Sequence, residues 1–242
     1  MKLKLPQLTA ELSLLTSCTD GILVLAAGGR PPHSSWLQQT VSDTSALWAV
    51  DRGIDACRLA GLVPHRLIGD ADSAARESWQ WAEQHDVPID RYAPAKDLTD
   101  FQLALELSRS DFFHCFILAV GAFGGRLDHA LSLLYSLVGD GRPGCMADQQ
   151  EVLLLIRGGE SAEIMLHEEA AEELSAVSLL PLSSACTGVS LSGVRWPLEN
   201  AEITQKLPYA VSNELLPGTK KISVSLTDGV MGFYMMFGKL EA

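Results

Sequence analysis

The chain has 242 residues, 47% of them hydrophobic, with 18 Lys and Arg against 30 Asp and Glu, a formal net charge of −12. That length and apolar content suffice for one large or two modest domains with buried cores, so the chain reads as globular. The acidic balance argues against a nucleic-acid partner, which needs a basic face to replace counterions; it permits a nucleotide whose phosphates are neutralised locally by Mg²⁺ and a few arginines.

In residues 1–20, Lys2 and Lys4 precede Leu15-Thr16-Ser17-Cys18, which superficially resembles a lipoprotein signal. Pro6, Gln7 and Glu11 interrupt the apolar core of about seven residues that a signal requires. The segment therefore reads as an N-terminal extension without a functional reading of its own. Cys18, Cys57, Cys115, Cys145 and Cys186 are scattered singly, with no CxxC pair and no clustering with His. A disulfide framework or zinc site is not expected, and the reducing cytoplasm is the expected location. No apolar run approaches the roughly 20 residues of a membrane span.

From residue 21 to 147, short apolar runs alternate with amphipathic stretches. Residues 22–26, 47–50, 66–68 and 116–120 read as buried strands, with Cys115 as strand filling, and residues 54–60, 74–85, 101–109 and 130–138 read as helices. This alternation is the βαβ signature of a mostly parallel sheet. From 148 to 242 the texture changes: 151–157, 161–166, 176–180, 188–196 and 221–226 read as strands between Gly, Pro and Ser turns. Asp228-Gly229 predicts a hairpin into a closing strand at 231–237, and hence an antiparallel second domain.

The polar residues that carry chemistry fall where the predicted strands end, the side on which parallel sheets bind ligands. Gly28-Gly29-Arg30 follows the first strand, Asp51-Arg52-Gly53 the second and Asp70-Ala71-Asp72-Ser73 the third. Gly124-Gly125-Arg126-Leu127-Asp128-His129 joins a later strand to a helix. Glycines that open a helix leave N–H groups and the helix dipole facing outwards, which favours an anion such as phosphate, although such a turn also serves plain close packing. Asp70 and Asp72, two apart on an extended segment, point to one side and can converge on a hard cation. Lys96-Asp97-Leu98-Thr99-Asp100 opens the next helix. Capping explains either acidic motif alone, with Asp72-Ser73 before one helix and Asp97 with Asp100 before the other; together they point to Mg²⁺ and a polyphosphate.

Taken in order, Gly69-Asp70-Ala71-Asp72-Ser73, Asp97-Leu98-Thr99-Asp100, Gly124-Gly125-Arg126-Leu127-Asp128-His129, Arg195-Trp196-Pro197-Leu198 and Val211-Ser212-Asn213-Glu214 resemble the motif set of the thiamin pyrophosphokinase family. The resemblance covers nearly everything after Gly21. It implies an α/β nucleotide-binding catalytic domain at 21–147 and an antiparallel β-sandwich, thiamin-binding, at 148–242, in a homodimer that holds thiamin between domains of opposite subunits. The implied reaction transfers pyrophosphate from ATP to the thiamin hydroxyl and releases AMP. Asp70, Asp72 and Asp100 would then hold Mg²⁺, with Asp97 assisting. Arg126 would stabilise the transferring phosphates with Thr99 and the Gly124 and Gly125 N–H groups, and Asp128 would orient or deprotonate the hydroxyl. Gly28, Gly29, Asp51, Arg52 and Ser73 would line the same cleft, and Ser212 and Asn213, which match the family's late motif, would reach thiamin from the other subunit. His129 reads as structural, and Trp196, a tryptophan before proline, reads as sandwich core. Ala71, where the family usually has an aromatic residue, and Arg52, where a second glycine is common, depart from the pattern. The competing readings are a pyrophosphokinase for another hydroxymethyl heterocycle, such as a pterin, and a non-catalytic nucleotide- or thiamin-binding regulator.

Overall fold

The computed structural model describes residues 2–13, 18–70, 73–92, 97–207 and 209–238. The chain forms two compact units, Cys18–Asp148 and a second one made of Met1–Ser17 with Gln149–Ala242.

The first residues do not stand apart as an extension. Leu3–Leu5 (β1) and Leu8–Leu12 (β2) pair antiparallel, and β2 continues onto Ser161–Leu166 (β10). The alternation that permits this is plain: Leu3, Leu5, Leu8, Ala10 and Leu12 are buried, while Lys4 and Glu11 face solvent.

The Cys18–Asp148 unit carries strands Ile22–Ala26 (β3), Ala46–Val50 (β4), Arg66–Gly69 (β5), Ile89–Arg91 (β6), Phe116–Val120 (β7) and Gly144–Ala147 (β8). Helices Ser34–Val41 (α1), Gly53–Leu59 (α2), Arg76–Gln84 (α3), Asp100–Ser108 (α4) and Leu127–Asp140 (α5) connect them. The strand order is β8-β7-β3-β4-β5-β6, every pair parallel. Strands β3, β4 and β7 are buried at every position, because helices covering both faces leave no polar side to a parallel sheet. The chain steps outward from β3 to β6 and then returns to lay β7 on the other side of β3. The topological switch point therefore lies between β3 and β7. At the unit's opposite rim the buried Arg142 is satisfied by Asp140, by the Leu105 and Phe112 carbonyls and by Ser108 Oγ.

The second unit is the antiparallel one. Its further elements are Glu151–Arg157 (β9), Glu168–Glu173 (α6), Leu174–Pro181 (β11), Ala185–Ser192 (β12), Leu198–Thr204 (β13), Lys221–Ser225 (β14) and Val230–Phe237 (β15). One sheet runs β1-β2-β10-β14-β12-β13, and β11, β15 and β9 form the other ladder, with β15 in the middle. Asp228-Gly229 is not a hairpin: β14 pairs with β10 and β12, whereas β15 pairs with β11 and β9. The dipeptide instead carries the chain from one sheet to the other, and Asp228 bridges to Thr187.

Candidate active site

The loops after β3 and β7 are laced together beyond the end of their strands. Ala27 N–H donates to the Val120 carbonyl (2.8 Å), Gly29 N–H to that of Gly121 (2.7 Å) and Arg30 N–H to that of Phe123 (2.6 Å). Gly29 is required by this approach, since a Cβ there would lie 2.6 Å from the carbonyl oxygens of both Gly121 and Phe123. Gly28 lies against Arg52, whose Cβ would be 2.8 Å from any Cβ at that glycine. The turn then runs through Gly124 (φ 70°) and Gly125 (φ 67°), both left-handed, before α5 begins. Two consecutive left-handed residues set the exposed turn directly before a helix N-terminus, the arrangement that suits an anion.

Arg126 is the N-cap residue of α5 and makes a two-pronged pair with Asp128: Nε donates to Oδ1 (3.1 Å) and Nη2 to Oδ2 (2.6 Å). Both side chains are exposed, 72% and 62%. The hydrogen bond from Arg126 is the main cause that lowers the Asp128 carboxyl to about 2, and the His129 N–H, 3.0 Å from Oδ1, adds to it. His129 contributes that backbone contact, and its position is exposed.

On the other side of the switch point, Asp51 directly follows β4 in a left-handed conformation (φ 50°), its N–H on the Ile68 carbonyl (2.7 Å). Aspartate is among the few residue types enriched there. Ser73 Oγ donates to Asp51 Oδ2 (2.5 Å), so the segment after β5 is tied to the end of β4. Asp70 directly follows β5 and is half-buried. Ala71, Asp72 and Lys96 lie outside the described residues. Ser73 does not cap α3, whose N-cap position is Ala75; the Ala75 N–H donates to Asp55 Oδ1 (3.2 Å). Arg52, the N-cap residue of α2, is exposed, with Nε 4.0 Å from Asp55 Oδ2.

Thr99, rather than Asp97, caps α4. Its hydroxyl accepts the Gln102 N–H (3.2 Å) while the Gln102 side chain accepts the Thr99 N–H (2.9 Å), a reciprocal capping box. Asp100 occupies the first turn, half-buried, and Asp97 is exposed ahead of it. Among the described residues no three His, Cys, Asp or Glu side chains gather closely enough to hold a metal ion, a search that leaves out Asp72. The donor chemistry nevertheless fits Mg²⁺: Asp51 and Asp70 directly follow the adjacent parallel strands β4 and β5, and Asp100 opens α4, all hard carboxylate oxygens without a thiol or imidazole.

In the second unit, Asn213 is buried and fully engaged. Its Oδ1 accepts the Trp196 N–H (3.1 Å) and the Glu214 N–H (2.9 Å), its Nδ2 donates to the Trp196 carbonyl (2.7 Å), and its backbone bridges to Val177. Ser212 beside it is left-handed (φ 56°), with its N–H on Ser178 Oγ (3.0 Å). Trp196 is not core. Strand β12 stops at Ser192, Val194 takes the buried position of the following segment, and the Trp196 ring is 53% exposed with the Arg195 guanidinium 4.9 Å from its centroid. The sequence reasoning did not single out Asp148, which is wholly buried and accepts Nε (2.9 Å) and Nη2 (2.6 Å) of Arg30 on one oxygen. A lone carboxylate following the apolar run 144–147 was its only sequence signal.

Two family models match this chain: "Thiamin pyrophosphokinase, catalytic domain" over residues 37–144 and "Thiamin pyrophosphokinase, vitamin B1 binding domain" over residues 163–231. The chain is 30% identical over 182 residues to thiamine pyrophosphokinase of Bacillus subtilis (strain 168), an alignment that spans 72% of this chain and 81% of the relative. The crystal structure of thiamine pyrophosphokinase from Bacillus subtilis superposes with a TM-score of 0.74 at 25% identity, covering 90% of this chain and all (100%) of that one. That of thiamin pyrophosphokinase from Geobacillus thermodenitrificans gives 0.73 at 28% identity, covering 89% and 97%. The yeast thiamin pyrophosphokinase structure, at 16% identity and a TM-score of 0.70 over 90% of this chain and 87% of that one, shares the fold.

Proposed function

The chain belongs to the thiamin pyrophosphokinase family, and from that membership we propose that it transfers the terminal pyrophosphoryl group of ATP to the hydroxyl of thiamin, releasing AMP and forming thiamin diphosphate. The observation that carries this reading is the meeting of a left-handed glycine turn with carboxylate-bearing strand ends around one switch point.

In this reading the triphosphate lies over the Gly28-Gly29 and Gly124-Gly125 loops, with Arg126 on the phosphates that are transferred and Arg52 at the start of α2 nearby. Asp70, Asp72 and Asp100 hold Mg²⁺, with Asp97 beside them, while Asp51 and Ser73 fix the segment that carries Asp70. The cation supplies charge neutralisation on the phosphates. Thr99 serves as the α4 cap that presents Asp100. The thiamin hydroxyl oxygen attacks the β-phosphorus, the bond from that phosphorus to the α-phosphate oxygen breaks, and AMP leaves with the electron pair. The hydroxyl proton passes to Asp128, which Arg126 releases as the guanidinium turns to the phosphates. Thiamin is a cationic heterocycle, and the exposed Trp196 ring offers it an aromatic face, with the Ser212 turn beside it. Asn213 acts by holding the Trp196 backbone. As the resemblance implies, the working assembly is a homodimer.

The test is the formation of AMP and thiamin diphosphate from ATP, Mg²⁺ and thiamin, with Asp72→Asn alongside. Equal amounts of both products, lost in the variant, are expected. Folded protein that binds nucleotide without turnover overturns the reading; turnover on a pterin-type alcohol would then identify another acceptor, and thiamin-dependent stabilisation without AMP release would mark a regulator.

A further inference from the structure

Arg30 stands where three loops of the Cys18–Asp148 unit meet. Its backbone N–H is held by the Phe123 carbonyl at 2.6 Å, and its Cβ lies 2.8 Å from where a Cβ on Gly124 would sit. Its Nε and Nη2 both converge on Oδ2 of Asp148, at 2.9 and 2.6 Å. Asp148 is 0% exposed and Arg30 28%, so a carboxylate has been taken wholly out of water one residue after β8 to meet this guanidinium. Such a burial costs several kcal/mol per ion before the pairing offsets it, so pairs of this kind contribute geometry more reliably than stability. The geometry fixed here is that of the Gly124-Gly125 turn, which leads directly into Arg126 and Asp128.

We infer that the Arg30–Asp148 pair is a positioning device: it clamps the β3 loop beneath the Gly124-Gly125 turn and so sets the approach of Arg126 to the transferring phosphates. The inference rests on the pyrophosphoryl-transfer reading for its consequence, and on the loop contacts alone for the bracing. A glycine turn with no side chains of its own has nothing but its neighbours to hold it, and here the neighbour is the Arg30 backbone and Cβ, anchored from the far side by Asp148. Displacing a catalytic group by about 1 Å is enough to cost up to about a hundredfold in rate.

The experiment compares the full-length protein with Asp148→Asn, with Arg30→Lys, with Arg126→Ala and with Arg126→Ala combined with Asp148→Asn. Hydrogen exchange of the 121–126 peptide reports the bracing without any need for turnover; removing one partner of a buried pair also lowers stability, so the exchange is read against the β4 and β5 peptides of the same unit, and in Asp148→Asn the acceleration at 121–126 is expected to exceed theirs. In steady state, kcat should fall about ten- to a hundredfold while KM for ATP and for thiamin stays within about twofold, with Arg30→Lys intermediate because one ammonium keeps the charge but loses the second N–H. In an Arg126→Ala background, Asp148→Asn should cost less than about threefold, since its effect acts through Arg126. The same loss of kcat in both backgrounds, or unaltered exchange in 121–126, would overturn the inference. Should Asp148→Asn fail to fold, Arg30→Met with Asp148→Leu removes both charges together and is read by the same exchange and kinetics. A wild-type protein without turnover would refute the activity, and the exchange result would still decide the clamp.

Discussion

Replacing Asn213 with Ala tests whether this residue is a structural bracket. Its carboxamide makes three hydrogen bonds, to the Trp196 N–H, the Trp196 carbonyl and the Glu214 N–H, at 3.1, 2.7 and 2.9 Å. The residue is 8% exposed, so water replaces little of what the truncation removes. At about 1 kcal/mol for each bond lost, with a further penalty where a backbone group is left unsatisfied, the cost is at least about 3 kcal/mol. Asn213→Asp keeps the acceptor for both N–H groups but sets a carboxylate against the Trp196 carbonyl, and falls between wild type and Ala. Urea unfolding, followed by far-ultraviolet circular dichroism, is the assay. With an m value of about 2–3 kcal/mol per molar for a unit of this size, the midpoint should drop by roughly 1 M. A midpoint within about 0.2 M of wild type, combined with a raised KM for thiamin, would refute the bracket and return Asn213 to the role of a direct ligand.

Trp196→Ala should behave in the opposite way: the ring is 53% exposed, so stability stays within about 0.5 kcal/mol, while KM for thiamin rises about tenfold if the aromatic face meets the cation. Gly29→Ala places a Cβ 2.6 Å from two backbone oxygens and should cost kcat at least about tenfold by spreading the β3 and β7 loops; unchanged kcat would mean the loops give way freely. The Asp128 carboxyl, held at about 2 first by its Arg126 hydrogen bond, should stay ionised through the neutral range and well into acid, and NMR titration of its carboxyl carbon reads this directly. Because the folded value is the depressed one, what the pair contributes to stability is present above the ordinary carboxylate value and disappears as the pH falls towards about 2. In Arg126→Ala the titration should return to about 4, and a value left near 2 would locate the cause elsewhere.

The buried parallel strands were legible because helices on both faces demand unbroken apolar runs, and β3 and β7 fall on the predicted residues. Two neighbours were not. Ile89–Arg91 is only three residues long, and Gly144–Ala147 has no β-branched residue to mark it, so both are strands through their pairing alone. Asp228-Gly229 misled for a related reason. A turn dipeptide states where the chain bends, and the partner of each flanking strand is chosen by contacts far away in sequence, here β10 and β12 on one side and β9 and β11 on the other. Leu3 to Leu12 carried the alternation of a half-buried hairpin, but its partner, β10, lies some 150 residues on, as the 158-residue separation of the Thr9 and His167 side chains shows.

At the site, the residue types were readable and the division of labour among them was not. Motif order places Thr99, Asp100, Arg126 and Asp128 at two helix starts, which the structure shows. It does not reveal that the Thr99 hydroxyl is committed to Gln102, or that Arg126 and Asp128 hold each other. These are contacts within four residues, set by rotamers that a list of residue types leaves open. Arg30 and Asp148 show the opposite limit: 118 residues apart, they meet because β3, β7 and β8 are adjacent and parallel, so that their carboxyl ends share one rim. Strand order, and not motifs alone, places Asp148 on that rim, because the parallel strands β3, β7 and β8 all end on the side where Ala27, Gly121 and Asp148 follow them.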